Sequence, residues 1–199
     1  MSKWLFFPTQ SNGLSLIIHD AFGGTGYVQG RTPDTVDNGN AWVTGTATGW
    51  PVASGYASTN TTADNAAMID AETTTYRVEY ESYSQSRQHG LWFRYDRDAA
   101  NVRSTLFFDT SMTNLQFFED IGPSNVFNNL HTNLSGLNNT PIYWNVEVDG
   151  TSISYDLSTS SGSFASGTHT MVNSPTEIGI FHNDSSGTYL RSLDFKVYA

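Results

Sequence analysis

The stretch GLWFRYDRD (Gly90–Asp98) places a tryptophan, an arginine and an aspartate two residues apart, and residues two apart share one face of a strand. Trp92, Arg94 and Asp96 therefore read as a sugar platform, with an apolar ring for a pyranose face and charges beside it for the hydroxyls. GRTPDTVDNGNAW (Gly30–Trp42) offers a second ring, Trp42, with the amide of Asn40 close in sequence. The same stretch carries Asp34 and Asp37, and HNDSSG (His182–Gly187) adds Asn183 and Asp184. Such oxygen-rich loops suit Ca²⁺, which takes six to eight oxygen ligands in all. Each group also has a plainer reading. Asn and Asp are ordinary turn residues, and tryptophans are ordinary core residues. Alternation leaves Trp92 open: either it or the Leu91, Phe93 and Tyr95 set faces inward.

Catalytic patterns are sparse. Glu79 and Glu81 share a strand face with Arg77, as on a solvated sheet face, and Glu119 and Asp120 adjoin a strand end. His19, His89, His131, His169 and His182 show no metal-ligand spacing and read as surface or strand-end residues. No G-x-S-x-G nucleophile elbow occurs. On these grounds the chain is not expected to be an enzyme.

Composition narrows the partners. The formal charge is −10, with two lysines (Lys3 and Lys196) and scattered arginines. A nucleic-acid phosphate backbone needs clustered cations, so nucleic acid is not an expected partner. No apolar run approaches the roughly 20 residues of a membrane span, so no membrane partner is expected either. The WLFF run (Trp4, Leu5, Phe6, Phe7) is too short for the apolar core of a secretory signal, about 7 to 15 residues. It reads instead as an attachment arm over residues 1–13, ahead of a single domain over 14–199. Cysteine is absent, so no disulfide contributes.

These groups must be positioned by strands. TYRVEYESY (Thr75–Tyr83) alternates, with Tyr76, Val78 and Tyr80 on one face and Arg77, Glu79 and Glu81 on the other. STLFFDTSMTNLQFFED (Ser104–Asp120) divides into two strands around a turn near Ser111–Thr113. IYWNVEVDGTSISYDL (Ile142–Leu157) reads as a hairpin, with Asp149-Gly150 as a type I′ turn. Trp144, Val146 and Val148 then share a side with Ile153, Tyr155 and Leu157. SLDFKVYA is expected to turn Leu193, Phe195 and Val197 inward, and a short strand is expected at Ala66–Ile69. Roughly ten such strands and no helical period predict an all-β, two-sheet antiparallel β-sandwich of jelly-roll type.

The segment HDAFGGTGYVQGRTPDTVDNGNAWVTGTATGW (His19–Trp50), with Asp20, Phe22 and its Gly-Arg-x-Pro-Asp stretch, resembles the opening of concanavalin A-like lectin/glucanase domains of phage and bacterial surface proteins. YRVEY, GLWFRYD and LDFKVYA resemble later strands of that family. The resemblance implies the concanavalin A-like jelly roll, but the E-x-D-x-x-E pattern of its glucanases is absent here. Members of that family bind glycans, cleave them or build virus particles and cell surfaces, and the apolar arm at Trp4–Phe7 points to the last: a non-enzymatic structural or decoration protein of a phage virion, on capsid or tail, is expected. Such a protein is assembled in the host cytoplasm, extracellular after release, and partnered by other virion proteins and its own copies. The alternatives are a glycan-binding adhesin module and a polysaccharide-degrading enzyme. Pro33, Gly39 and an Arg31–Asp34 bridge make GRTPDTVDNGNAW a structural clamp, anchored by Trp42.

Overall fold

The structure is a computed structural model that describes residues 13–37, 39–44, 50–53, 55–58, 66–84, 87–94, 102–121, 125–183 and 190–199. The strands in chain order begin with β1 (Leu16–Asp20), β2 (Thr25–Tyr27), β3 (Thr35–Val36), β4 (Val43–Thr44), β5 (Pro51–Ala53) and β6 (Tyr56–Ala57). Longer ones follow: β7 (Ala66–Asp70), β8 (Thr75–Ser84), β9 (Gln88–Arg94), β10 (Val102–Phe108), β11 (Leu115–Ile121) and β12 (Asn125–His131). The chain closes with β13 (Pro141–Asp149), β14 (Ser152–Thr159), β15 (Gly162–Thr170), β16 (Glu177–Asn183) and β17 (Leu190–Tyr198). There is no helix among the described residues.

Two antiparallel sheets result. One runs β15-β14-β13-β8-β17-β6-β5-β2, with β1 also on β17 and β3 on β1; the other runs β12-β11-β10-β9-β16-β7-β4. Crossovers between distant strands, such as β8 beside both β13 and β17, produce a jelly roll rather than a meander. The core lies between the sheets because each strand turns alternate side chains inward. Tyr76, Val78 and Tyr80 of β8 are buried opposite Leu91 and Phe93 of β9, Leu106 and Phe108 of β10, and Ile178 and Ile180 of β16. Trp144, Val146 and Val148 are buried on the same side as Ile153, Tyr155 and Leu157, as alternation predicts.

Four local expectations are corrected. The β13–β14 turn is centred one residue later, on Gly150 and Thr151, because Asp149 pairs with Ser152. Gly150 alone of the two has a positive φ (57°), the pattern of a type II′ turn with glycine first. In β17 the register shifts between Ser192 and Asp194, so Ser192 turns into the core and Leu193 does not. A bulge of this kind re-aims side chains that strict alternation would place otherwise. Arg77 is not solvated: it is 4% exposed, with its guanidinium 4.4 Å from the Tyr198 ring centroid. His89 and His182 are fully buried rather than at the surface. They are cross-strand partners, and His182 Nε2 lies 3.1 Å from Ser192 Oγ and 3.3 Å from Tyr80 Oη.

The 19–42 segment is the clamp expected of it, with a different central partner. Asp20 is fully buried and accepts hydrogen bonds from Arg31 Nε (2.9 Å), Trp42 Nε1 (2.9 Å) and the Phe22 amide (2.7 Å). Arg31 also reaches Asp34 at 3.3 Å and the Gly23 carbonyl at 3.0 Å. Phe22 takes a positive φ of 50°, unusual for a bulky residue. The Asp20 bond and the packing of its ring on Trp42 at 5.9 Å hold it there.

Candidate functional site

The seven-stranded sheet turns a patterned face away from the core. Trp92 lies on it, since Leu91 and Phe93 occupy the core side of β9. The pairing registers set its residues in rows across the strands. The central row runs Phe127, Phe118, Thr105, Trp92, Gly179 and Met68, on β12, β11, β10, β9, β16 and β7. On one side lies a row with Asn129, Gln116, Phe107, Gly90 and Phe181. On the other lies a charged row that includes Asp120, Arg103, Glu177 and Asp70.

Two glycines shape this face. An added β-carbon at Gly90 would stand 2.0 Å from the Leu106 carbonyl oxygen, and one at Gly179 would stand 2.1 Å from that of Ala67. Only glycine permits so close a backbone approach, and its bare surface leaves room for neighbouring rings. Trp92 and Phe181 occupy that room edge to face at 5.8 Å, and Phe107 meets Phe181 at 5.6 Å. The Arg103 guanidinium lies 4.5 Å from the Trp92 ring centroid and 3.6 Å from Asp120. Between Trp92, Arg103, Phe107, Phe118 and Phe181 is a cavity of about 160 Å³. Phe127 extends the aromatic row to the edge strand, 53% exposed. Amides border one side of the row, where Asn183 Nδ2 donates to Gln88 Oε1 at 2.7 Å and Gln116 Nε2 to Asn129 Oδ1 at 2.9 Å. Rings flanked by amides and charges can stack on the apolar face of a sugar and hydrogen-bond its hydroxyls.

The sequence-expected residues are distributed unevenly over this site. Trp92 belongs to it. Arg94 lies on β9, but its side chain falls outside the described residues, as do Asp96, Asp184 and the arm residues Trp4, Leu5, Phe6 and Phe7. Trp42 is fully buried, its ring against Phe195 at 5.1 Å, and presents no face to a ligand. Asn40 donates to the Asp70 carbonyl and to Glu72, so it ties its loop to the end of β7. Of the proposed calcium ligands, Asp34 is engaged by Arg31 and the Ala21 amide, and Asn183 by Gln88. Asp37 sits at the end of β3, on the opposite sheet from Asn183. No group of three or more His, Asp or Glu is placed to hold a metal among the described residues. Phe107, Phe118, Phe127 and Phe181 were not singled out by sequence. The signal for them was the apolar residue on the solvent side of each strand, as in LFF, QFF and IFH.

No protein-family model and no curated protein matches the sequence. Solved structures do match. SCLam, a non-specific endo-β-1,3(4)-glucanase from family GH16, superposes with a TM-score of 0.65 over 94% of this chain and 92% of its own, at 7% identity. The chain has the concanavalin A-like lectin/glucanase jelly-roll fold. Another jelly roll of this kind, the exoplasmic/lumenal domain of VIP36 in its Ca²⁺/Man2-bound form, matches at a TM-score of 0.57 over 93% of this chain and 88% of its own, at 9% identity. The GH43 protein BlXynB from Bacillus licheniformis matches at 0.64 over 91% of this chain and 13% identity. The jelly roll spans only 39% of that GH43 chain. The expectation of a non-enzymatic chain is overturned by this company, since GH16 and GH43 proteins share the fold. None of these three is a virion protein, and they lend no support to a capsid or tail role.

Proposed function

We propose that this jelly roll is a glycan-directed domain that binds polysaccharide on the outer face of the seven-stranded sheet. The observation that carries the reading is the aromatic row through Phe127, Phe118 and Trp92, bordered by amides on one side and charges on the other. A row of rings crossing several strands suits an extended chain of sugars better than a single enclosed one. The likeness to a glucanase and to a mannose-bound lectin domain supports the ligand class.

A glycan array with the purified chain tests this. Retention of β-glucan, xylan or mannose oligosaccharides is expected, and Trp92→Ala is expected to weaken it about fivefold or more, since loss of a stacking ring costs about 1 kcal/mol or more. Unchanged retention in Trp92→Ala would overturn the assignment of the face.

A further inference from the structure

On the opposite side of the molecule, Glu81 and Asp194 stand directly across from each other on β8 and β17. The β17 bulge creates this meeting. It turns Ser192 into the core and leaves Leu193 and Asp194 on the outer face of the ten-stranded sheet. Glu81, Leu193 and Asp194, with His19, Ala21 and Lys196, line a cavity of about 380 Å³. Bulges beside a cavity are a common means of aiming functional side chains.

The two carboxyl groups have unlike surroundings. Asp194 accepts hydrogen bonds from His19 Nε2 at 2.8 Å and from the Lys196 ammonium. Glu81 makes no hydrogen bond or ion pair with any described residue. It is partly buried, and that burial, followed by the charge of Asp194, pushes its carboxyl above the usual range, against the opposing pull of Lys196. Its other cross-strand partner, Tyr143, is 37% exposed, and the Tyr143 hydroxyl is raised by burial and then by Glu81. A carboxyl raised by burial and without a hydrogen bond or ion pair among the described residues, next to one held by His19 and Lys196, is the division of labour of acid and nucleophile.

We propose that Glu81 and Asp194 form a glycoside-cleaving site, with Glu81 as general acid and Asp194 as nucleophile, and with His19 and Lys196 positioning Asp194. This rests on the glycan-directed reading but uses a different face and none of its residues. The Glu81 carboxyl passes its proton to the glycosidic oxygen as the bond from that oxygen to the anomeric carbon breaks. The Asp194 carboxylate forms an ester to the same carbon, and the leaving sugar departs as an alcohol. Water then attacks the anomeric carbon, gives its proton to Glu81, and displaces Asp194 as a carboxylate. Opposed residues on antiparallel strands have β-carbons about 4.5–5.5 Å apart. That reach suits the carboxyl separation of about 5–5.5 Å that double displacement needs.

The test uses the full chain with 4-nitrophenyl and 2,4-dinitrophenyl glucosides and xylosides. Wild type is expected to release nitrophenolate. Glu81→Gln should slow the 4-nitrophenyl substrates at least 100-fold, the usual contribution of a placed acid. It should slow ester formation from the dinitrophenyl ones far less, because their leaving group needs no proton. Asp194→Gly should be inactive until azide is added, and should then yield the glycosyl azide. Asp194→Asn, with an unchanged sheet spectrum by circular dichroism, should be equally inactive. No release by wild type from any substrate, or undiminished release by Glu81→Gln and Asp194→Asn, would overturn the proposal. Glycan retention that depends on Trp92 without any release would leave the binding face standing and remove this site alone.

Discussion

The Arg31 guanidinium holds the fully buried Asp20 carboxylate through both Nε and Nη2, at 2.9 Å and 3.1 Å, and so fastens the 19–42 loop to the edge of β1. Removing the arginine strands a charge that water cannot reach, and among the described residues the Phe22 amide and Trp42 indole are left to satisfy it. Breaking one side of a buried pair costs about 3 kcal/mol or more. Arg31→Ala should therefore lower the urea midpoint by that equivalent while glycan affinity stays within twofold. Arg31→Lys should recover little, since a point charge cannot reproduce the fork. A loss of affinity with unchanged stability would show that the loop is a ligand site and not a clamp.

Gly90 and Gly179 are predicted to be intolerant of even one carbon. Gly90→Ala drives a methyl group into the Leu106 backbone, which cannot swing aside as a side chain can. Overpacking of this kind costs about 1–3 kcal/mol. Thermal unfolding checks the cost. The same variant should weaken glycan retention, because Phe107 on the displaced strand borders the site.

Acid should destabilise the fold through its buried histidines. Burial lowers His89 to about 4, and burial followed by the charge of His89 lowers His182 well below the usual value. Between roughly pH 6.5 and 4 the unfolded chain therefore binds protons that the native state refuses. Stability should be level above pH 6.5 and fall as pH drops through that window, by on the order of 3 kcal/mol for His89 alone. His89 packs on Phe108 at 5.4 Å and meets Trp144 edge to face at 5.9 Å, so His89→Phe should fit the site and flatten the fall. Denaturant midpoints for both proteins at pH 7, 5.5 and 4.5 measure this. Parallel pH curves would contradict it.

Fold was legible where strands alternate strongly. Thr75–Tyr83 and Ile142–Leu157 predicted their strands and buried faces because one side is apolar and the other polar. β12 and β15 were missed because NVFNNLH and GSFASGTHT carry too few apolar residues to show a period. Both lie at sheet edges, where little burial is demanded of them. The orientation of β9 stayed open because it is apolar on both sides: Leu91 and Phe93 serve the core, and Trp92 serves the outer face. The remaining site residues were invisible for a different reason. Phe127, Phe118, Trp92 and Phe181 converge only through cross-strand registers, and Glu81 meets Asp194 only through a bulge between strands far apart in sequence.

Glycan bound on the outer face of the seven-stranded sheet should be visible in the indole N–H signals of a ¹⁵N-labelled sample. Titration with β-glucan, xylan and mannose oligosaccharides should shift the Trp92 indole signal, assigned through its loss in Trp92→Phe. The indoles of Trp42 and Trp144 are fixed in the core by hydrogen bonds to Asp20 and Ser82, and they should stay in place. A saturating shift at Trp92 with those two unmoved is the predicted result. Binding that leaves Trp92 unmoved, or no shift with any of these glycans, would contradict the account.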